Sequence, residues 1–398
     1  MSNPYSEIFR APGAKGFASA GFLARLPLAM TTMGIVAMLS QTNGEYWLAG
    51  AVAATFALTN AFVSPQISRL VDRFGQSRVI VPATILSVAA FAVLLTATYY
   101  RWPAWTLFAS VVLAGFMPSM PAMVRARWTE LYRDTPLLGT AFAFESVADE
   151  LVYIVGSVLS VGLSVTFFPQ AGILVSTLAL AVGTTLFAAQ KSTEPKVQPV
   201  ARRKGRSAIA LRPVQLITLT LVAVGTIFGT AEVTVIALTE EMGAPAMASF
   251  ALAAYAAGSL VVGLVFGALK LKAPLSRQFL VANTVAAVTT LPLLFVPNVP
   301  VLGLLLFLSG VSISPTFITA FGLIERLVPA AKLTEGMTWV ITGIAIGMAI
   351  GSFTSGWVID QYGAGSGFWV SVVAGGVAFA VALLGQASLS SSRQPEGE

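Results

Sequence analysis

Arg25, Glu145, Asp149, Glu150 and Glu232 each fall inside a run of about twenty otherwise apolar residues. An ionisable side chain at membrane depth costs at least about 2.5 to 3.5 kcal/mol, so its presence there calls for a partner or a task. Arg25 and Glu145 sit at similar depths in their runs, which makes them natural partners. Asp149 follows Glu145 by one helical turn on the same face, and Glu150 is turned away by about 100°. One arginine cannot neutralise three acids, so the cluster offers an ion-pair network with a carboxyl free for reversible protonation. Glu232 lies in the outer third of another run, where an acid could take up a cation or a proton or reach toward the headgroups. Cysteine and histidine are absent, which excludes thiol catalysis, disulfides, His-based zinc sites and imidazole relays. No phosphate loop of the form GxxxxGK followed by Ser or Thr occurs, so a built-in ATPase is not expected, nor is a cofactor.

Helices must position these groups. Only 10% of the 398 residues are charged and mean hydropathy is +0.82. Taking about 20 apolar residues per crossing, we place spans at 17–40, 47–66, 79–99, 104–123, 141–165, 170–189, 213–238, 246–269, 278–296, 300–324, 336–358 and 367–387. With both termini on the cytoplasmic side, every Lys and Arg except Arg25 and Arg101 falls in an inward segment, as the positive-inside rule requires. Arg125 and Arg127 are counted as loop charges by this reading. The net charge of +6 then reflects topology and carries no nucleic-acid signal. Glu7 and Arg10 precede the first span without a cleavage-site pattern, so that span is read as a permanent anchor.

Residues 191–212 hold seven basic residues and two of the local prolines, with a third at Pro213. Such a segment cannot bury enough apolar surface to fold by itself. It divides the chain into six-span halves at 1–190 and 213–398, and is expected to be a solvated tether lying against anionic headgroups. The halves repeat. Laying the second span on the eighth puts Ser64, Ser68, Leu70, Arg73 and Arg78 on Gly263, Gly267, Leu269, Lys272 and Arg277, and laying the fifth on the eleventh puts Gly156, Ser157 and Ser160 on Gly351, Ser352 and Ser355. Paired halves of this kind are typical of transporters that rock about a central site.

The loop after span two, Ser68-Arg69-Leu70-Val71-Asp72-Arg73-Phe74-Gly75-Gln76-Ser77-Arg78, resembles the GxxxDRxGRR signature of the major facilitator superfamily. Asp72, Arg73 and Gly75 match, Ser68 replaces the first glycine, and Arg78 restores one of two missing basic charges. The resemblance extends through span number, linker and repeat, and implies an all-α fold of twelve transmembrane helices in two pseudo-symmetric bundles. It also implies that Ser68, Asp72, Arg73, Gly75 and Arg78 gate the cytoplasmic side. The second copy has Leu271 in place of Asp72, so the clamp is expected on one side only. Glu145, Ser146, Asp149, Glu150 and Gly156, with Thr334-Glu335-Gly336-Met337-Thr338-Trp339, further resemble a bacterial drug/proton-antiporter-like exporter subgroup. Gly156-Ser157 stands where relatives carry Gly-Pro.

Gly343, Gly347, Gly351 and Ser355 form a small-residue stripe for close helix approach. Pro118, Pro121 and Pro315 are expected to bend spans four and ten. Met117, Met120, Met123, Phe116, Trp128 and Trp339 offer apolar lining or core packing. The expected function is secondary transport by a monomer in the inner membrane, exporting a hydrophobic or amphipathic compound in exchange for protons. The rival is a proton-coupled transporter of a polar metabolite; a non-transporting sensor would need an added soluble domain. The expected partners are a small-molecule substrate, protons and the lipid bilayer.

Overall fold

Lipid offers no water to satisfy backbone N–H and C=O groups, so a chain this apolar has to be helical where it crosses a membrane. The computed structural model describes residues 4–43, 46–197, 207–244, 247–269 and 271–390, and among these it contains helices and turns but no strand. A short α1 (Pro4–Ile8) is followed by α2 (Ala14–Asn43), α3 (Tyr46–Phe74) and α4 (Gln76–Tyr99). Then come α5 (Ala104–Ala114), α6 (Met120–Tyr132), α7 (Leu137–Thr166) and α8 (Ala171–Ala189). After the basic segment the order continues with α9 (Arg212–Glu241), α10 (Ala248–Ala268), α11 (Leu275–Thr290) and α12 (Val299–Gly310). The last elements are α13 (Ile313–Leu327), α14 (Leu333–Tyr362), α15 (Phe368–Leu384) and the short α16 (Gln386–Ser390). Eleven stretches of the described residues are long and apolar enough to cross a membrane, and the remaining expected span is divided between α5 and α6. Phe62, Ile85 and Leu178 in the first half of the chain and Phe353 and Leu384 in the second are exposed apolar side chains, suited to hydrocarbon. At the α4–α5 turn, exposed Tyr99, Tyr100, Trp102 and Trp105 supply aromatic rings of the kind that favour a headgroup boundary.

Pro118 lies in the break of span four, and Pro121 in the first turn of α6 just after it. Pro118 and Pro121 cannot donate to the helix ladder, and the chain leaves the helix between α5 and α6. The carbonyls released there are satisfied from α3: Asn60 Nδ2 donates to Gly115 O and Met117 O, each at 3.0 Å, and Ser64 Oγ to Met117 O at 3.2 Å. The corresponding break in the second half falls between α12 and α13, where Ser312 Oγ donates to Ser309 O at 3.0 Å. Ser259 of α10 lies 2.9 Å from Ser314 across it. The offset that carries Arg73 onto Lys272 also carries Asn60 onto Ser259, so the repeat preserves a polar side chain beside each break.

The chain separates into two compact units, one of residues 1–138 with 148–205 and one of residues 139–147 with 206–398. In the first, Ile35, Met38, Phe56, Phe91, Leu94 and Val111 form a buried core between α2, α3, α4 and α5. Gly156 of α7 packs on Ala29 of α2, and Ser160 Oγ donates to Met30 O at 2.8 Å. In the second, α9 and α14 interlock through small residues on both sides. A Cβ on Gly343 would lie 2.8 Å from Thr218 O, one on Gly347 2.8 Å from Thr226 N, and one on Gly351 2.9 Å from Thr226 C. Gly225 and Gly229 of α9 press equally closely on the backbone of Ile344 and Met348. The small-residue stripe read from span eleven is therefore a helix-packing surface. The first turns of α7 join this unit, with Thr140 Oγ1 donating to Gly267 O at 2.8 Å and Phe142 edge-on to Phe321.

Candidate functional site

The charges meet in the first unit through three helices. Long side chains on a helix project back toward its N-terminus, and two arginines use that geometry: Arg25 Nε donates to Gly21 O at 3.3 Å, and Arg125 Nη1 to Pro121 O at 3.3 Å. Their outer ends converge on one carboxylate. Arg25 Nη1 lies 2.8 Å from Asp149 Oδ1, and Arg125 Nη2 lies 2.7 Å from Asp149 Oδ2. Both arginine side chains are 1% exposed, whereas Asp149 is 29% exposed. Burial strengthens such charge-assisted bonds and raises the cost of losing one partner.

This arrangement makes one expectation specific and changes another. Asp149, one turn beyond Glu145, is the carboxylate that receives Arg25 in this triad. Arg125, counted as a loop charge, is an interior residue of α6 and the second cation of the triad. The span-length rule ended the fourth crossing at residue 123, but the proline-broken pair α5 and α6 carries helix to Tyr132. Glu145 is buried in the part of α7 that clusters with the second unit. Glu150 is half-buried on α7, and Glu232 is exposed on α9. One turn before Glu232, Phe228 packs its ring against Tyr255 and Phe317 at centroid separations of 5.4 Å and 6.4 Å.

Arg127 is a second interior arginine that the sequence reading missed. Its Nε donates to Gln76 Oε1 at 2.9 Å, Nη1 to Gln190 O at 2.8 Å and Thr193 Oγ1 at 2.9 Å, and Nη2 to Phe187 O at 3.0 Å. The guanidinium also stands 3.8 Å from the centre of the Phe187 ring, a cation–π arrangement. Arg127 thus ties the end of α8 and the following turn to the start of α4. Arg127→Ala is expected to cost about 3 kcal/mol, since several buried acceptors lose a charged donor at once. Thermal unfolding in detergent, with exposed Arg10→Ala as the control, measures it.

The signature loop is ordered around this tie. Ser68 is fully buried, Asp72 is half-buried, and Arg73 and Arg78 are exposed. The Arg73 guanidinium lies 5.0 Å from the Phe74 ring centre. Gly75 has φ +93°, a left-handed conformation that glycine adopts without a Cβ penalty, and it caps α4. Glu194 accepts from Ser77 N at 2.8 Å and from Ser77 Oγ at 2.9 Å. The expected solvated tether is consequently anchored at its start, with Thr193 buried. At the other end, Glu335 accepts from Ser207 Oγ and, at 2.9 Å, from Ala208 N. Arg202, Arg203, Lys204 and Arg206 lie outside the described residues. Trp128, Met117, Met120 and Met123 are buried, with Trp128 between Phe17 and Tyr132.

The fold is shared with solved transporters of low sequence identity. The human organic anion transporter MFSD10 (TETRAN) superposes with a TM-score of 0.70 at 16% identity, covering 94% of this chain and 100% of that one. The E. coli fucose:proton symporter FucP gives 0.70 at 15%, with 92% and 98% covered. A bacterial homologue of the iron transporter ferroportin in an outward-facing state gives 0.73 at 16%, with 95% and 100% covered. A search of curated proteins returned no match. The family model described as Major Facilitator Superfamily matches residues 17–238 and 217–398, which together take in nearly the whole chain. This multi-pass membrane protein belongs to the major facilitator superfamily, and it is a secondary transporter and not an enzyme.

Proposed function

We propose that the protein exports a hydrophobic or amphipathic organic compound in exchange for protons, as a monomer in the inner membrane with both termini cytoplasmic. Halves at 1–190 and 213–398 would alternate access, with residues 191–212 connecting them. The observation that carries the proposal is the concentration of charge on α7: Asp149 is held by Arg25 and Arg125, and Glu150 stands next to it, half-buried in an otherwise apolar helix. A carboxyl that is neutral in one state and charged in the other biases the equilibrium between two conformations, which is how proton uptake drives transport. Glu145 and Glu232 are the other candidate coupling groups, and Ser68, Asp72, Arg73, Gly75 and Arg78 are the candidate cytoplasmic gate. The drug/proton-antiporter-like subgroup is part of the same proposal.

A second reading, transport of a polar metabolite, draws on a different aspect of the triad. Two guanidiniums converge on a carboxylate that retains 29% exposure, an arrangement that also suits an acidic substrate group. The human structural relative is an organic anion transporter, which accords with this alternative.

Transport into proteoliposomes as a function of pH tests the proposal. Glu150→Gln is expected to abolish gradient-driven transport and retain downhill exchange, because the amide mimics the protonated acid and releases no proton. Full gradient-driven transport in this variant would remove Glu150 from the coupling mechanism and shift the role to Glu232 or to a uniporter.

A further inference from the structure

The two copies of the turn into α4 and α11 differ in what satisfies them. In the first unit, Ser77 is the second residue of α4, and both its N–H and its hydroxyl go to the Glu194 carboxylate. The chain supplies its own anion to a helix N-terminus, where unpaired N–H groups and the helix dipole favour negative charge. The offset relating Arg73 to Lys272 and Arg78 to Arg277 relates Ser77 to Ser276. Ser276 is likewise the second residue of its helix, after Pro274. Among the described residues, no carboxylate takes the place of Glu194 here. An open cleft of about 630 Å³ occurs instead, lined in part by Lys272, Ser276, Arg277, Arg326, Gln386 and Ser390, with no acid among its described lining residues. Gln386 Nε2 donates to Ser276 O at 2.8 Å and so fixes the α16 wall against the helix start.

We propose that this cleft binds a phosphate group. Three cationic side chains, a buried serine at a helix N-terminus and neighbouring amide and hydroxyl donors match the charge and the several acceptor oxygens of a phosphate ester. The equivalent turn in the first unit already holds an anion, and the second unit keeps three cations, Lys272, Arg277 and Arg326, at the same offset from Arg73, Arg78 and Arg127, with no carboxylate at this turn among the described residues. Two sources share this chemistry: the headgroup of an anionic phospholipid and a soluble phosphate ester. The topology places the cleft against the cytoplasmic leaflet, where basic pockets between helices meet anionic headgroups. Binding itself depends neither on that orientation nor on the coupling mechanism.

The test is thermal unfolding of the full chain, purified in a neutral detergent and supplemented separately with phosphatidylglycerol, phosphatidylcholine, glycerol 3-phosphate and inorganic phosphate. Phosphatidylglycerol is expected to raise the midpoint by several degrees where phosphatidylcholine does not. Arg326→Gln and Arg277→Gln should each shift that response to about tenfold higher ligand concentration, since the stabilisation depends on ligand concentration relative to Kd. Arg10→Gln, an exposed charge in the other unit, should leave it unchanged. Ser276→Asp places an internal carboxylate where Glu194 acts in the first unit, and should remove the response while the unliganded protein remains folded. A response to phosphatidylglycerol alone assigns a headgroup. A response to the soluble esters, lost in the same variants, assigns a soluble ligand, and both outcomes support the phosphate site. Equal responses in wild type and all variants, or no response to any phosphate compound, overturn it.

Discussion

Gly347→Leu is expected to prevent assembly of the second unit, leaving little monodisperse protein after detergent extraction. Helix association in a membrane gains no hydrophobic drive against lipid, so small residues that let backbones touch carry much of the packing. A Cβ at Gly347 would meet the backbone of Val222 and Thr226 on α9. Backbone atoms cannot rotate aside as a flexible side chain would, so accommodation requires α9 and α14 to separate. Even a single methyl there should cost roughly 1–3 kcal/mol, the usual range for overpacking, and leucine more. Gly376 has open space around its ideal Cβ position, so Gly376→Ala should be nearly neutral. Size-exclusion profiles and unfolding midpoints of the three proteins decide the matter. A well-folded Gly347→Leu protein with wild-type stability would show that the interlock does not govern assembly.

Asp149→Ala should destabilise the first unit by about 3–5 kcal/mol, because it removes a carboxylate that two buried guanidiniums bind. Asp149→Asn keeps the shape but loses the charge and should fall between. Any transport defect in either protein therefore combines lost structure with lost chemistry. Replacing Arg25, Arg125 and Asp149 together with leucines removes these three charges at once and, with buried Glu145 left in place, should recover part of the stability, as apolar replacement of buried ion pairs often does. If the triple variant is stable yet inactive in proteoliposomes, the triad participates in transport. If it is stable and active, the triad is a packing element and the coupling role passes to Glu150 or Glu232. Recovery is read from the unfolding midpoint relative to Asp149→Ala.

Much of the architecture was legible because lipid acts on composition and order. Runs of apolar residues must be helices, and basic residues collect between them. The repeat was visible in Ser64, Arg73 and Arg78 against Gly263, Lys272 and Arg277, and the breaks near Pro118, Pro121 and Pro315 followed from the missing proline N–H. The stripe at Gly343, Gly347 and Gly351 pointed to close approach, although α9 and its reciprocal Gly225 and Gly229 were identified only in three dimensions.

The sequence by itself determined the class of fold, the approximate limits of most crossings, the signature loop and the presence of Arg25, Glu145, Asp149 and Glu150 within apolar runs, because lipid forces apolar runs into helices and makes charge there costly. The tertiary structure decided which charges meet. Arg125 and Arg127 looked like topological loop charges because a span was counted as one straight crossing; the break between α5 and α6 instead carries them into the first unit. Arg25 binds Asp149 within that unit, a contact that depends on the rotation of α7 relative to α2 as well as on depth along each helix. Glu194 lies in a segment whose composition suggests solvation and Glu335 at the start of span eleven, yet each carboxylate satisfies a backbone donor at the start of a turn or helix. Such pairings join residues distant in the chain, and linear spacing contains no record of the angles and close approaches that create them.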